Sequence, residues 1–201
     1  MVLAGGAGRR LGGDAKPTLT VAGRPMLARV LDAVADAQVR IVVGPPSLPL
    51  PQGVRRTREE PPGGGPVAGV AAGFAALAEG AATGLGYVAL LAADLPFLDR
   101  QSVAALRGAL AGSSADGAVY VDATGHRQWL CGVWRTAALT DRLARIGPRY
   151  DGLSMRRLLG PLNAIELVSA RTERAPWYDC DTAEDLVRAE GWADEHAGRV
   201  E

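Results

Sequence analysis

The sequence predicts an α/β protein: a doubly wound, mostly parallel sheet with helices on both faces. Three observations carry this expectation. Apolar runs such as Val39 to Val43 and Tyr87 to Ala92 are nearly uninterrupted, as in strands buried on both sides of a parallel sheet. Segments with apolar residues at i, i+3 and i+4, such as Met26, Leu27, Val30, Leu31 and Val34, read as helices covering such a sheet. The two patterns alternate along the first half of the chain, which implies βαβ units with ligands bound outside the carboxyl ends of the strands.

The chain opens on a short apolar start followed by LAGGAGRRLGGDAK, Leu3 to Lys16. Gly5, Gly6, Gly8, Gly12 and Gly13 let backbone N–H groups approach an anion without Cβ obstruction. Arg10 and Lys16 would offset the charge of a transferring phosphate. The stretch therefore reads as a nucleotide-phosphate loop. The dinucleotide fingerprint fails at Leu11, and a P-loop fails at Gly13-Asp14-Ala15. The first strand is very short, and a full one is expected to begin a few residues earlier.

Pro25 stands at a first helical position, the helix follows, and the Val39 to Val43 strand ends at Gly44. Four prolines in Pro45 to Gly53 forbid ladder hydrogen bonds and imply an extended surface excursion. A short strand at Val54 to Thr57 precedes the turn-forming run EEPPGGG, Glu59 to Gly65. A small-residue helix then starts near Pro66. The Tyr87 to Ala92 strand leads to Asp94, and Val103, Leu106 and Leu110 mark the next helix. Beyond it, Ala118 to Val121 and Gln128 to Trp134 flank the turn sequence Asp122-Ala123-Thr124-Gly125, a hairpin pattern. Helices near Ala137 to Arg145 and Ser154 to Leu159 and a strand at Ile165 to Val168 follow. Thr182 is placed to cap a last helix, with Asp185 at its third position. One domain is expected over residues 1–201, with a nucleotide-binding half to about residue 112 and an acceptor-binding half after it.

The 22 basic and 22 acidic residues cancel, so no global field draws the chain to nucleic acid or to an anionic membrane. Any phosphate site must be local. Cys131 and Cys180 have no partner at metal-ligand spacing, which argues against a zinc site or disulfide framework and makes the reducing cytoplasm the simplest setting. No apolar run reaches the roughly 20 residues of a membrane span.

A nucleoside triphosphate calls for Mg²⁺, which takes one or two protein carboxylates beside phosphates and water. Asp94, at the end of a buried strand, is the first candidate ligand. Asp181 is the second, with Asp179 as its competitor, because strand alternation would send both to one face and Cys180 to the other. The alternative for Asp94 is a turn former before Leu95-Pro96, and for Asp181 a helix-capping carboxylate.

The arrangement L-A-G-G-x-x-x-R-[apolar]-G-x-x-K, met at Leu3-Ala4-Gly5-Gly6, Arg10, Leu11, Gly12 and Lys16, resembles the signature loop of the MobA-like nucleotidyltransferases. Gly65-Pro66-Val67-Ala68-Gly69 resembles the GPLAG segment of molybdenum cofactor guanylyltransferases. Leu91 to Phe97 is similar to their metal-binding CDMPF stretch, and Asp179 to Leu186 to their closing NINTPEDL.

The resemblance implies a Rossmann-like nucleotidyltransferase that moves GMP from GTP to the phosphate of molybdenum-bound molybdopterin and releases pyrophosphate. It implies Leu3, Ala4, Gly5, Gly6 and Lys16 as nucleotide-binding residues. Gly65, Pro66 and Gly69 would lie at the guanine and ribose, Glu59 or Glu60 near the base, and Asp94 at magnesium. Arg10, Lys16 and Asp94 would be catalytic. Asp replaces the family's Asn at Asp179 and Asp181, endings also met in cytidylyltransferases, which stay open as an alternative; the GP-x-AG segment favours guanine. A regulatory module that binds nucleotide without turnover is the rival of another class. In the acceptor half, Arg127, Gln128, Trp129, Arg156 and Arg157 could grip a pterin, against the plainer reading of a solvated face. His126 is expected to be exposed, Trp134 and Trp177 to be core, and the protein a monomer or weak homo-oligomer.

Overall fold

The computed structural model describes residues 1–5, 13–79, 84–171 and 173–197. Seven strands form one sheet: β1 (Val2–Leu3), β4 (Arg40–Val43), β5 (Val54–Thr57), β6 (Tyr87–Ala92), β7 (Gly117–Val121), β8 (Arg127–Arg135) and β9 (Ala164–Val168). A separate two-stranded ladder joins β2 (Thr20–Val21) to β3 (Arg24–Pro25). The sheet order is β5-β4-β1-β6-β8-β7-β9. Its pairings are parallel except that β8 runs antiparallel to both β6 and β7, so the sheet is mostly parallel, as the alternation predicts.

Side-chain alternation explains why helices cover both faces. Val2, Val42 and Leu91 pack with α1 (Met26–Ala33) and α3 (Arg100–Leu110). Their strand neighbours Leu3, Ile41, Val43 and Leu90 pack with α2 (Pro66–Glu79), α4 (Thr136–Ile146) and α5 (Met155–Leu159). A third cluster, Val21, Met26, Phe97, Cys180 and Ala189, seats α6 (Ala183–Ala197). Thr182 and Asp185 form the expected reciprocal cap at its start: the Asp185 N–H donates to Thr182 Oγ1 at 3.2 Å, and the Thr182 N–H to Asp185 Oδ2 at 2.9 Å.

Two local readings are corrected. Pro25 is not the first helical residue; its ψ of 135° places it just ahead of α1, where it pairs with Thr20 in the small ladder. The turn of that ladder, Ala22-Gly23, has positive φ at both residues, 48° and 67°, the geometry of a tight hairpin usually signalled by Asn-Gly. The end of the glycine loop, read as open loop, is a 3-10 helix over Gly13–Thr18.

Trp134, fully buried, fills the space left by two glycines. A Cβ on Gly117 would overlap its indole ring, and one on Gly132 would lie 2.9 Å from its Nε1. Gly117→Ala is therefore expected to lower unfolding free energy by about 1–3 kcal/mol through overpacking. Denaturant titration checks this, and an unchanged midpoint would show that the indole has room to move.

Candidate functional site

The positions of the strands build the site. β1 pairs with β4 on one side and β6 on the other, setting Leu3 opposite both Val43 and Ala92. The chain departs from β1 to its left in the sheet and returns to its right, so the two carboxyl ends diverge there and open a crevice. Ala4 N–H donates to Val43 O at 2.7 Å and Ala93 N–H to Leu3 O at 3.0 Å, which sets Gly5, Gly44 and Asp94 side by side. A cavity of 780 Å³ lies over these ends.

Lys16, in the 3-10 helix, reaches across the crevice. Its Nζ stands 2.5 Å from Asp94 Oδ2 and 2.5 Å from Asp181 Oδ1. Asp181 is brought there by the segment before α6, which is tied to β6 where the Cys180 N–H donates to Asp94 O at 3.3 Å. Burial alone would lower the Lys16 pKa, but hydrogen bonds and charge from Asp181 and Asp94 outweigh it and raise the ammonium above its ordinary value. Asp179 lines the same cavity. The protein packed around its carboxyl, followed by the charges of Asp181 and Asp94, pushes it up to about 6. Both aspartates reach the cavity and Cys180 is buried away from it, the expected division, although residues 178–181 form no strand and the alternation is that of an irregular extended segment.

Of the remaining expected nucleotide residues, Leu3, Ala4 and Gly5 line the cavity at the end of β1, and Gly65, Pro66 and Gly69 at the start of α2. Gly65 has φ +90°, which favours glycine. A Cβ on Gly69 would meet Leu3 and Val43 at 3.5 and 3.6 Å, so the small residue lets α2 lie close over β1 and β4. Glu59 also lines the cavity and accepts the Gly63 N–H at 3.1 Å. Glu60, before a cis peptide to Pro61, is exposed and away from the cavity lining. Gly6 and Arg10 lie outside the described residues.

The structure adds residues that pattern alone set aside. Arg127, Gln128 and Trp129 form part of the cavity wall, while Arg156 and Arg157 are exposed elsewhere. Trp177, expected in the core, is half-buried; its Nε1 donates to Val121 O at 3.1 Å while the residue also faces the cavity. Pro45, expected on a surface excursion, lines the cavity too. His126 is exposed and Trp134 is core, as expected. Cys131 and Cys180 are free and buried, and burial raises both thiols, which makes them poor nucleophiles.

Among the described residues no three His, Cys, Asp or Glu side chains form a ready-made metal cage. Two carboxylates already sharing one cation, beside a third, form a hard, anion-rich oxygen set. That donor set fits magnesium, which completes its shell with phosphate and water. No described helix is long and apolar enough to cross a membrane.

A doubly wound sheet with a lysine between two aspartates at its switch point is the arrangement of an α/β protein that binds its ligand at the carboxyl ends of the strands. The chain belongs to the MobA-like NTP transferase domain family, whose model matches residues 1–165. It is similar to a molybdenum cofactor guanylyltransferase of Bradyrhizobium sp. (strain ORS 278), 31% identical over 94% of this chain and 90% of the relative. The molybdopterin-guanine dinucleotide biosynthesis protein A of Archaeoglobus fulgidus shares the fold, with a TM-score of 0.68 at 22% identity over 96% of this chain and 97% of that one. So does 2-C-methyl-D-erythritol 4-phosphate cytidylyltransferase of Thermus thermophilus, with a TM-score of 0.63 at 20% identity over 96% and 97%. The fold by itself therefore does not choose the base.

Proposed function

We propose that the protein transfers GMP from GTP to the phosphate of molybdenum-bound molybdopterin and releases pyrophosphate. The observation that carries the reading is the place of Lys16, held by Asp94 and Asp181 in the wall of a cavity whose lining includes Glu59, Gly65 and the start of β8. Strand order gives the cavity two arms: one over β5, β4 and β1, the other over β8. The relatives' names and the G-P-x-A-G segment support guanine for the first arm. Residues of the second half of the chain support an acceptor in the other.

In this reading an acceptor phosphate oxygen attacks the α-phosphorus of GTP. The new P–O bond forms as the bond to the pyrophosphate oxygen breaks, and the leaving group carries away the charge. Lys16 supplies fixed positive charge to those phosphates, preorganised by the two carboxylates. Gly5 and Gly6 offer backbone N–H groups, and Arg10 of the same loop a second cation. Gly65, Pro66 and Gly69 hold guanine and ribose, with Glu59 favoured over Glu60 beside the base. Asp94 and Asp181 would hold Mg²⁺, which would neutralise phosphate charge during transfer. The residues to about 112 form the nucleotide half and the remainder the acceptor half of one functional unit.

Thermal unfolding with GTP, CTP, ATP and UTP in Mg²⁺ tests the choice of base. A ligand bound only by the folded state stabilises it by about 2.7 kcal/mol at a hundredfold excess over Kd. We expect the largest shift with GTP. A larger shift with CTP would instead identify a cytidylyltransferase.

A further inference from the structure

The hairpin between β7 and β8 fixes the polarity of one residue on the acceptor arm. β8 outruns β6: Leu91 pairs with Cys131 and β6 ends at Ala92, so residues 127–129 overhang the carboxyl end of β6 and form part of the cavity wall. Gln128, in that wall, donates from Nε2 to Asp122 Oδ2 at 2.9 Å and to the His126 carbonyl at 3.3 Å. Both partners can only accept. Turning the amide round would set oxygen against oxygen twice, so the nitrogen is committed to the hairpin. Gln128 Oε1 takes no hydrogen bond from any described residue.

Asp122 is fixed in turn. Its Oδ1 accepts the Thr124 N–H at 2.9 Å, the Thr124 hydroxyl at 2.6 Å and the His126 N–H at 3.0 Å. The Thr124 hydroxyl first, then the His126 N–H, hold the carboxyl below the usual range. The bonds that the Asp122 carboxylate makes to the turn fall on Oδ1, and the backbone adds Asp122 N–H to His126 O and Gly125 N–H to Asp122 O, both at 3.0 Å. The bond from Oδ2 to Gln128 is thus separable from the turn, which would form without it.

We infer that Gln128 is a dedicated hydrogen-bond acceptor for the molecule that receives the nucleotide, offering Oε1 to an N–H group of an amino-substituted heterocycle, and that Asp122 is the positioning residue that enforces this polarity. The inference rests on the transfer reaction proposed above, whose pterin acceptor carries an aminopyrimidinone edge rich in N–H groups. An oxygen locked outward selects for such an edge, because a ring turning an acceptor toward it leaves two facing oxygens or nitrogens unpaired.

Asp122→Asn separates this role from a structural one. Asn keeps an oxygen for the turn and sets its NH2 against Gln128 Nε2. The Gln128 amide then loses its partner on residue 122, keeps only the 3.3 Å bond to the His126 carbonyl, and no longer holds its oxygen in one place. We expect KM for molybdopterin to rise about tenfold, with KM for GTP and the unfolding midpoint unchanged. Gln128→Leu should give a similar rise. The exchange Asp122→Asn with Gln128→Glu restores an outward oxygen, since the new amide donates to one oxygen of the new carboxylate and leaves the other free; with a carboxylate oxygen now facing the His126 carbonyl, it should recover part of the loss. A merely structural role would lower the midpoint, raise both KM values and resist rescue.

Molybdopterin binding, followed by pterin fluorescence without GTP, separates this inference from the reaction it rests on. Weakened binding in both single variants supports the lock even if no GMP is transferred, in which case the transfer reading alone fails. Ongoing transfer with unchanged binding and KM in both variants overturns the lock alone. No molybdopterin binding by the native protein overturns the lock, and the transfer reading falls with it only if transfer is also absent.

Discussion

Replacing Lys16 by Ala is expected to lower nucleotidyl transfer by about 10²–10³-fold, the usual cost of removing one preorganised group from a developing charge. The geometry gives the reason. The Lys16 side chain is mostly buried, at 15% exposure, and its ammonium is clamped at 2.5 Å by two carboxylates, one from the middle of the chain and one from near its end. It therefore meets the phosphates with little reorganisation. The loss should appear in kcat more than in KM for GTP, because the charge matters most as pyrophosphate leaves. Circular dichroism should be unchanged, since the side chain faces the cavity rather than either core layer. Near-normal turnover in Lys16→Ala would remove the lysine from the chemistry. Lys16→Arg should not rescue fully, because a planar guanidinium cannot occupy the same point between two carboxylates.

Asp94→Asn is expected to have the second largest effect, a loss of about 10²-fold or more at fixed magnesium, partly recovered by raising its concentration. Asn preserves the shape of the β6 terminus, including the carbonyl that accepts the Cys180 N–H, but removes the charge at 16% exposure that faces Lys16. Asp181→Asn should cost less, because that carboxylate is 63% exposed and solvent screens it. The comparison of the two magnesium titrations is decisive: equal activation curves for native protein and Asp94→Asn would mean that magnesium is held elsewhere.

The parts of the site legible in the sequence were those with a local signature. Glycine spacing marked Gly5 and Lys16, and an uninterrupted apolar run ending in a carboxylate marked Asp94, because both reflect how a parallel strand hands over to a ligand loop. The third member was different. Nothing in the composition around Asp181 says that it meets Lys16 across 165 residues of sequence; the tether between Cys180 and Asp94 accounts for it physically.

Pattern could not choose between Glu59 and Glu60, adjacent acids in one turn. The fold separates them by leaving only Glu59 on the cavity. The Ala22-Gly23 turn carries no sequence signature, because Ala rarely takes positive φ. The hairpin at Asp122 was legible, whereas its hold on Gln128 was not. That hold depends on which carboxylate oxygen the turn consumes, a detail fixed only by three-dimensional placement.

The most direct measurement of the central claim is pyrophosphate release from purified protein given GTP, Mg²⁺ and molybdenum-bound molybdopterin, with each component omitted in turn. We expect release that requires all three and is nearly abolished in Lys16→Ala, with one guanine dinucleotide formed per pyrophosphate. GTP binding without acceptor-dependent release under the complete conditions would contradict it and leave a nucleotide-binding module that lacks turnover.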